Sequence, residues 1–236
     1  MESQLYTQQH IRNKNHVPVI DLLMSKGAIV DVRDKDGRTP LQIAASSGHK
    51  EAAIYLLDHG TDVDAKNNKG FTSLSNAAQE GHLPLVGLLI LRGADLHLAN
   101  IEGVTPLMMA TQNGHLEVVK LLVEKGAVVD QPRNDGATPL IMAAQQGHLK
   151  VVKLLVKKGA KIDQSSDEGV TPLHVAALKG HQEVVDYLMN KGATFQATGT
   201  LAKVCKCCGA ADASLKCALL CMLLLRELIS MSSSSW

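Results

Sequence analysis

Asp167-Glu168-Gly169-Val170-Thr171-Pro172-Leu173-His174-Val175-Ala176-Ala177-Leu178-Lys179-Gly180-His181 decides the fold, because its parts recur along the chain at one spacing. Thr39-Pro40-Leu41, Thr72-Ser73-Leu74, Thr105-Pro106-Leu107, Thr138-Pro139-Leu140 and Thr171-Pro172-Leu173 follow one another every 33 residues. Gly-His falls at 48/49, 81/82, 114/115, 147/148 and 180/181, and a further glycine at 27, 60, 93, 126, 159 and 192. Three markers in phase, with no insertion, define a tandem array.

Each marker has a local job. Thr is a good helix N-cap, and proline in the next position gives up only an N–H that has no helical partner. The spacing predicts a short helix from each Thr-Pro to the Gly-His. A second helix follows, with Val118, Leu121 and Leu122, or Val151, Leu154 and Leu155, at the i, i+3, i+4 spacing of one apolar face. The late glycine stops it. Lys26, His59, Arg92, Lys125, Lys158 and Lys191 precede those glycines and place a cation or a titratable imidazole at the helix's negative end. Asp34 to Gly37 and its equivalents supply a turn between repeats.

These residues resemble the ankyrin repeat, whose pattern Asp-x-x-Gly-x-Thr-Pro-Leu-His-x-Ala-Ala-x-x-Gly-His is matched almost throughout by Asp167 to His181. The resemblance implies an all-α solenoid of helix-turn-helix units with hairpin-like loops. It covers an array within residues 1–198: a partial unit over 6–33 and full repeats over 34–66, 67–99, 100–132, 133–165 and 166–198. It also implies a protein that binds other proteins and is not an enzyme. The second repeat departs from the pattern with Ser73 for Pro, Pro84 at the start of its second helix and Gly87 inside it, so it is expected to be the weakest.

Composition narrows the partners. Among 236 residues, 24 Lys plus Arg meet 23 Asp plus Glu, a net charge of +1, which gives no general attraction to nucleic acid or an anionic membrane. The polar N-terminus and the absence of a long apolar run predict a protein that is neither secreted nor membrane-spanning, residing in the cytoplasm or nucleus. A monomer with other proteins as partners is expected. Of ten histidines, His16, His49, His82, His115, His148 and His181 share one register. Helices pack ~8–10 Å apart, too far for equivalent imidazoles to share an ion needing bonds of ~2.0–2.1 Å. Those histidines are instead expected to hydrogen-bond the turn between their own two helices. No phosphate-loop, dinucleotide, zinc-protease or serine-hydrolase motif occurs, so no catalytic residue is assigned.

By resemblance, recognition falls to the hairpin tips and the exposed residues of each first helix. In the first repeat these are Lys35, Asp36, Arg38, Ser46, Ser47 and Lys66; in the second, Asn68, Lys69, Phe71, Gln79 and Glu80. The third adds Ile101, Glu102, Val104, Gln112 and Asn113, and the fourth Asn134, Asp135, Gln145 and Gln146. Asp167, Glu168, Val170, Leu178 and Lys179 belong to the fifth. Phe71, Ile101, Val104 and Leu178 read as apolar anchors in a polar rim. Arg38 and Lys66 make the first repeat basic and suit an acidic ligand.

All five cysteines lie between Cys205 and Cys221, in a tail over 199–236 where the repeat pattern has ended. Cys205-x-x-Cys208 with Cys217 and Cys221 can supply four thiolates to one tetrahedral Zn²⁺. The segment from Cys205 to Cys217 resembles the opening of a MYND-type zinc finger, without that module's second zinc set. Two other readings stand beside it. Leu215 to Ile229 can form an amphipathic helix that caps the last repeat. Leu220-Cys221 followed by Leu225-Arg226 resembles the SOCS box that recruits a ubiquitin ligase.

Overall fold

The computed structural model describes residues 17–194. The described residues divide into two compact units, which part between Val128 and Val129. Among the described residues there are eleven helices and no strand. In the first unit these are α1 (Val17–Ser25), α2 (Pro40–Ser47), α3 (Lys50–Asp58), α4 (Ser73–Gln79), α5 (Leu83–Leu91), α6 (Pro106–Gln112) and α7 (Leu116–Glu124). In the second they are α8 (Pro139–Gln146), α9 (Leu149–Lys157), α10 (Pro172–Leu178) and α11 (Gln182–Asn190). The fold class is the expected one, helix-turn-helix repeats joined by hairpin loops.

The Thr caps form as their chemistry requires. Thr39, Thr72, Thr105, Thr138 and Thr171 are all extended, and each hydroxyl accepts from the backbone N–H three residues on. Gln42 at the third helical position closes the first box with unusual thoroughness. Its Oε1 accepts from the Thr39 N–H at 3.1 Å, and its Nε2 donates to the Ala65 and Phe71 carbonyls, both at 2.7 Å. One buried amide thus ties the first repeat's cap to the next repeat's hairpin. His174 takes the same role in α10, accepting the Thr171 N–H at Nδ1, and burial lowers its pKa and so favours the neutral ring this bond needs.

First helices pack on first helices and second on second, α2 on α4 on α6 and α3 on α5 on α7 in the first unit, α8 on α10 and α9 on α11 in the second. Ala44-Ala45, Ala77-Ala78 and Ala143-Ala144 are buried and short, which lets neighbouring first helices approach. The second helices bury Val118, Val119 and Leu122, or Val151, Val152 and Leu155, rather than the stripe the spacing suggested. Leu121 and Leu154 are half-buried because a second helix faces its neighbour's second helix as well as its own first one. Each fully buried Leu contributes roughly 1.5–3 kcal/mol, so these aliphatics supply the core that so few aromatics cannot.

Within each unit, three hydrogen-bonded ladders stitch successive repeats. Hairpin N–H groups reach the preceding hairpin, Asn68 to the Asp36 carbonyl at 3.0 Å, Ile101 to Lys69 at 3.2 Å and Asp167 to Asp135 at 3.0 Å. Carboxylates accept from N–H groups 31 residues on: Asp31 from Asp62, Asp64 from Asp95, Asp130 from Lys161 and Asp163 from Thr194. The third ladder corrects the expectation for the histidines. The His82, His115 and His181 side chains bond the preceding repeat rather than the turn between their own helices. His82 Nε2 reaches the Ser46 carbonyl at 3.2 Å, His115 that of Gln79 at 2.8 Å and His181 that of Gln145 at 3.0 Å, each 36 residues back. Since a carbonyl only accepts, Nε2 carries the proton. The preceding repeat's glycine makes room: a Cβ on Gly81 would lie 2.5 Å from His115 Nδ1, and one on Gly147 equally close to His181.

The expectation of a weak second repeat acquires specific structural grounds. Pro84 sits in the first turn of α5 and is harmless there. Gly87 is not required, because the nearest atom to a Cβ at that position, Leu121 Cδ2, is 4.0 Å away. The Ser73 hydroxyl is buried without a partner among the described residues, where the other full repeats carry proline. His97 stands in the register of Asp31, Asp64, Asp130 and Asp163 and has no carboxylate to offer the Val128 N–H. Thr72 already has the extended backbone that a following proline demands. Amides within 67–99 should therefore exchange first in a hydrogen-exchange experiment. Ser73→Pro, Gly87→Ala and His97→Asp together should raise unfolding free energy by about 2 kcal/mol in denaturant titrations, the sum of about 0.5–1 from each.

Candidate binding surface

Between α2 and α4 lies a cleft of about 210 Å³ lined by Arg38, Gln42, Ile43, Ser46, Ser47, Asn67, Phe71, Asn76 and Gln79. The residues come in equivalent pairs from adjacent repeats: Arg38 with Phe71, Ile43 with Asn76, Ser46 with Gln79. Its walls are fixed from behind, since the Ser46 and Gln79 carbonyls are the ones His82 and His115 hold. Its floor is fixed by Gln42, whose amide is fully engaged. Arg38 on the rim is not a free cation: its guanidinium meets Asp34 at 2.7 Å and Asp36 at 3.0 Å. Lys66 is exposed and donates one hydrogen bond to the Ala99 carbonyl at 3.2 Å. Of the two expected basic contacts, the Arg38 charge is thus compensated within its own hairpin.

The helix caps, the 33-residue register and the three ladders agree with the comparison to known families. The family model for ankyrin repeats, described as three copies, matches residues 8–100, 74–166 and 129–199. The chain belongs to the ankyrin-repeat family. No curated protein matches the chain.

Five of the sequence-predicted residues, Arg38, Ser46, Ser47, Phe71 and Gln79, come together in this ankyrin cleft. Lys35, Asp36, Asn68, Lys69, Ile101 and Glu102 are exposed at the hairpin tips of the first unit, and Glu80, Gln112 and Asn113 at its helix ends. Ile101, at 68% exposure, can serve as an apolar contact. Val104 cannot. It is 2% exposed, turned inward at the closing of its hairpin, with its N–H on Asn100 Oδ1 at 2.8 Å. In the second unit Asn134, Asp135, Gln145, Gln146, Asp167, Glu168 and Lys179 are exposed, and Val170 and Leu178 half-buried. Sequence reasoning missed Gln42, Ile43, Asn67 and Asn76. One signal was there: Asn76 is polar in a register otherwise holding Ile43, Met109, Met142 and Val175. The proposed metal set, Cys205, Cys208, Cys217 and Cys221, lies outside the described residues, as do His10 and His16. Among the described residues no group of three or more His, Cys, Asp or Glu could hold a metal ion, and no helix is long and apolar enough to cross a membrane.

Electrostatics in the second unit's hairpin are set by one substitution. Arg133 stands where the first three full repeats have Asp34, Asn67 and Asn100, so it cannot accept the hairpin N–H. Asp135 does so instead, from Ala137 at 3.1 Å, and is clasped by the Arg133 guanidinium, with Nε 2.8 Å from Oδ1. That hydrogen bond holds the Asp135 carboxyl down at about 2. Because the folded pKa lies below the unfolded one, the stabilisation is complete above the unfolded value of ~3.9 and fades as pH falls through about 2. NMR titration should find the Asp135 midpoint near 2 and, in Arg133→Ala, a midpoint raised toward the ordinary carboxylate range.

Proposed function

We propose that this ankyrin protein is a non-catalytic adaptor that holds a partner protein on the first helices and hairpin tips of its repeats. The observation that carries the reading is the α2–α4 cleft, where five residues chosen from sequence alone converge on a concave, hydrogen-bonding site braced from behind. Such a site suits recognition. A photo-cross-linking residue at Ser46, Glu80 or Gln145 should capture protein from the native environment, whereas one at Glu117 on the outer helix α7 should not. Equal capture from all four positions would refute a first-helix site.

The tail extends the proposal. Cys205, Cys208, Cys217 and Cys221 are proposed to hold one Zn²⁺ in a MYND-like knuckle that engages a second protein, which suits the reducing cytosol or nucleus. The alternative is a ligase substrate receptor recruited through Leu220-Cys221 and Leu225-Arg226. Native mass spectrometry of the reduced protein should find one zinc, lost in both Cys205→Ser and Cys208→Ser. A folded, zinc-free wild type would leave the helix cap or the ligase box.

A further inference from the structure

Asn76 is the residue that the repeat pattern does not explain. Ile43, Met109 and Met142 in its register are 7%, 8% and 6% exposed and pack in the first-helix layer. A polar amide placed in such a stripe costs free energy unless its donors and acceptor are met. The Asn76 side chain lines the cleft half-buried and has no hydrogen bond to any described residue. An Asn side chain sets an N–H donor beside a C=O acceptor, the complement of a main-chain peptide unit.

The rest of the cleft limits what lies beside that peptide unit. Ile43 and the half-buried Phe71 ring give it an apolar side, and Ser46 and Ser47 add small, uncharged groups to the rim. The nearby cation Arg38 is already compensated by two carboxylates, so an acidic group entering here would be desolvated without an unspent counter-charge. A volume of about 210 Å³ falls below the ~300–1,000 Å³ of sites for drug-sized ligands and suits a single large side chain.

We propose that the cleft is the anchor site for an extended protein segment, which inserts one uncharged apolar side chain against Ile43 and Phe71 while Asn76 grips the main-chain amide next to it. The inference rests on the first-helix face being the protein-binding one. It assigns specificity to this cleft and to apolar contact, in place of the acidic ligand that Arg38 and Lys66 suggested.

The test is selection of displayed random 12-residue peptides on the full-length protein, followed by affinity measurements with the synthetic winners. Enriched peptides should share one Leu, Met, Ile or Phe at a fixed position. Asn76→Met, which restores the side chain found in the third and fourth repeats and should fold at least as well, should weaken binding about tenfold or more, about 1.4 kcal/mol. Raising NaCl from about 50 to 300 mM should change affinity less than about twofold, since no exposed ion pair is formed. An acidic consensus with strong salt dependence would overturn the inference. So would equal binding by wild type and Asn76→Met, which would move recognition elsewhere on the protein while leaving the protein-binding reading intact. Failure to select any peptide with wild-type-dependent binding would count against both.

Discussion

The imidazole bond that reaches back 36 residues, from His82 to the Ser46 carbonyl, from His115 to that of Gln79 and from His181 to that of Gln145, couples a repeat to the one before it within each unit. A first helix of seven or eight residues is far below the length at which an isolated helix holds together in water. Its last carbonyls have no helical acceptor role left to fill, and unmet they would cost about 1–3 kcal/mol each when buried. The next repeat's histidine meets one of them. The glycine at the helix end turns the chain with positive φ and also leaves the space into which that imidazole fits. Gly and His recur together because each answers the other across a repeat boundary.

This coupling makes a binding surface out of short helices. Ser46 and Gln79 stand on the cleft walls by their side chains and are held from behind by their carbonyls. Gln42 fixes the floor by bonding the hairpin that leads into Phe71. Sites supported by such secondary bonds keep their geometry without the partner present, which lowers the ordering cost of association. The hairpin ladder does the same for the loop tips, where Asn68 and Ile101 are anchored through their backbone N–H groups and leave their side chains outward.

The helical fold, the Thr caps and the positions of both helices in a repeat were legible because they depend on local chemistry that one residue type satisfies. Part of what escaped depends on residues 31 to 36 positions apart, and part on how a single hairpin closes. A histidine next to its own interhelical turn looks like a local cap, and nothing in one repeat says that it bonds the previous one. Arg38 read as a ligand-binding cation because the Asp34 and Asp36 carboxylates meet it only once its own hairpin closes, and the contact of Lys66 with the Ala99 carbonyl forms only once the next repeat is stacked. Val104 read as an anchor because an apolar residue beside a turn looks exposed until the turn closes. Aligning the repeats by register rather than by motif would have exposed Asn76 and His97, each a lone exception among five.

Those exceptions share a repeat. Ser73, Asn76, Gly87 and His97 all fall between 67 and 99, and each gives up a cap proline, an apolar contact, a helix former or an interrepeat tie. The same repeat supplies Asn67, Phe71, Asn76 and Gln79 to the cleft. In a linear array, stability is a sum over repeats and their nearest neighbours, so a weak unit loosens its own surroundings without unmaking the units beyond them. A globular domain with one core has no such freedom, since a polar residue in its interior is felt throughout. The array can therefore concentrate its polar exceptions where a partner is gripped, and the well-packed repeats on either side keep that site folded until the partner arrives.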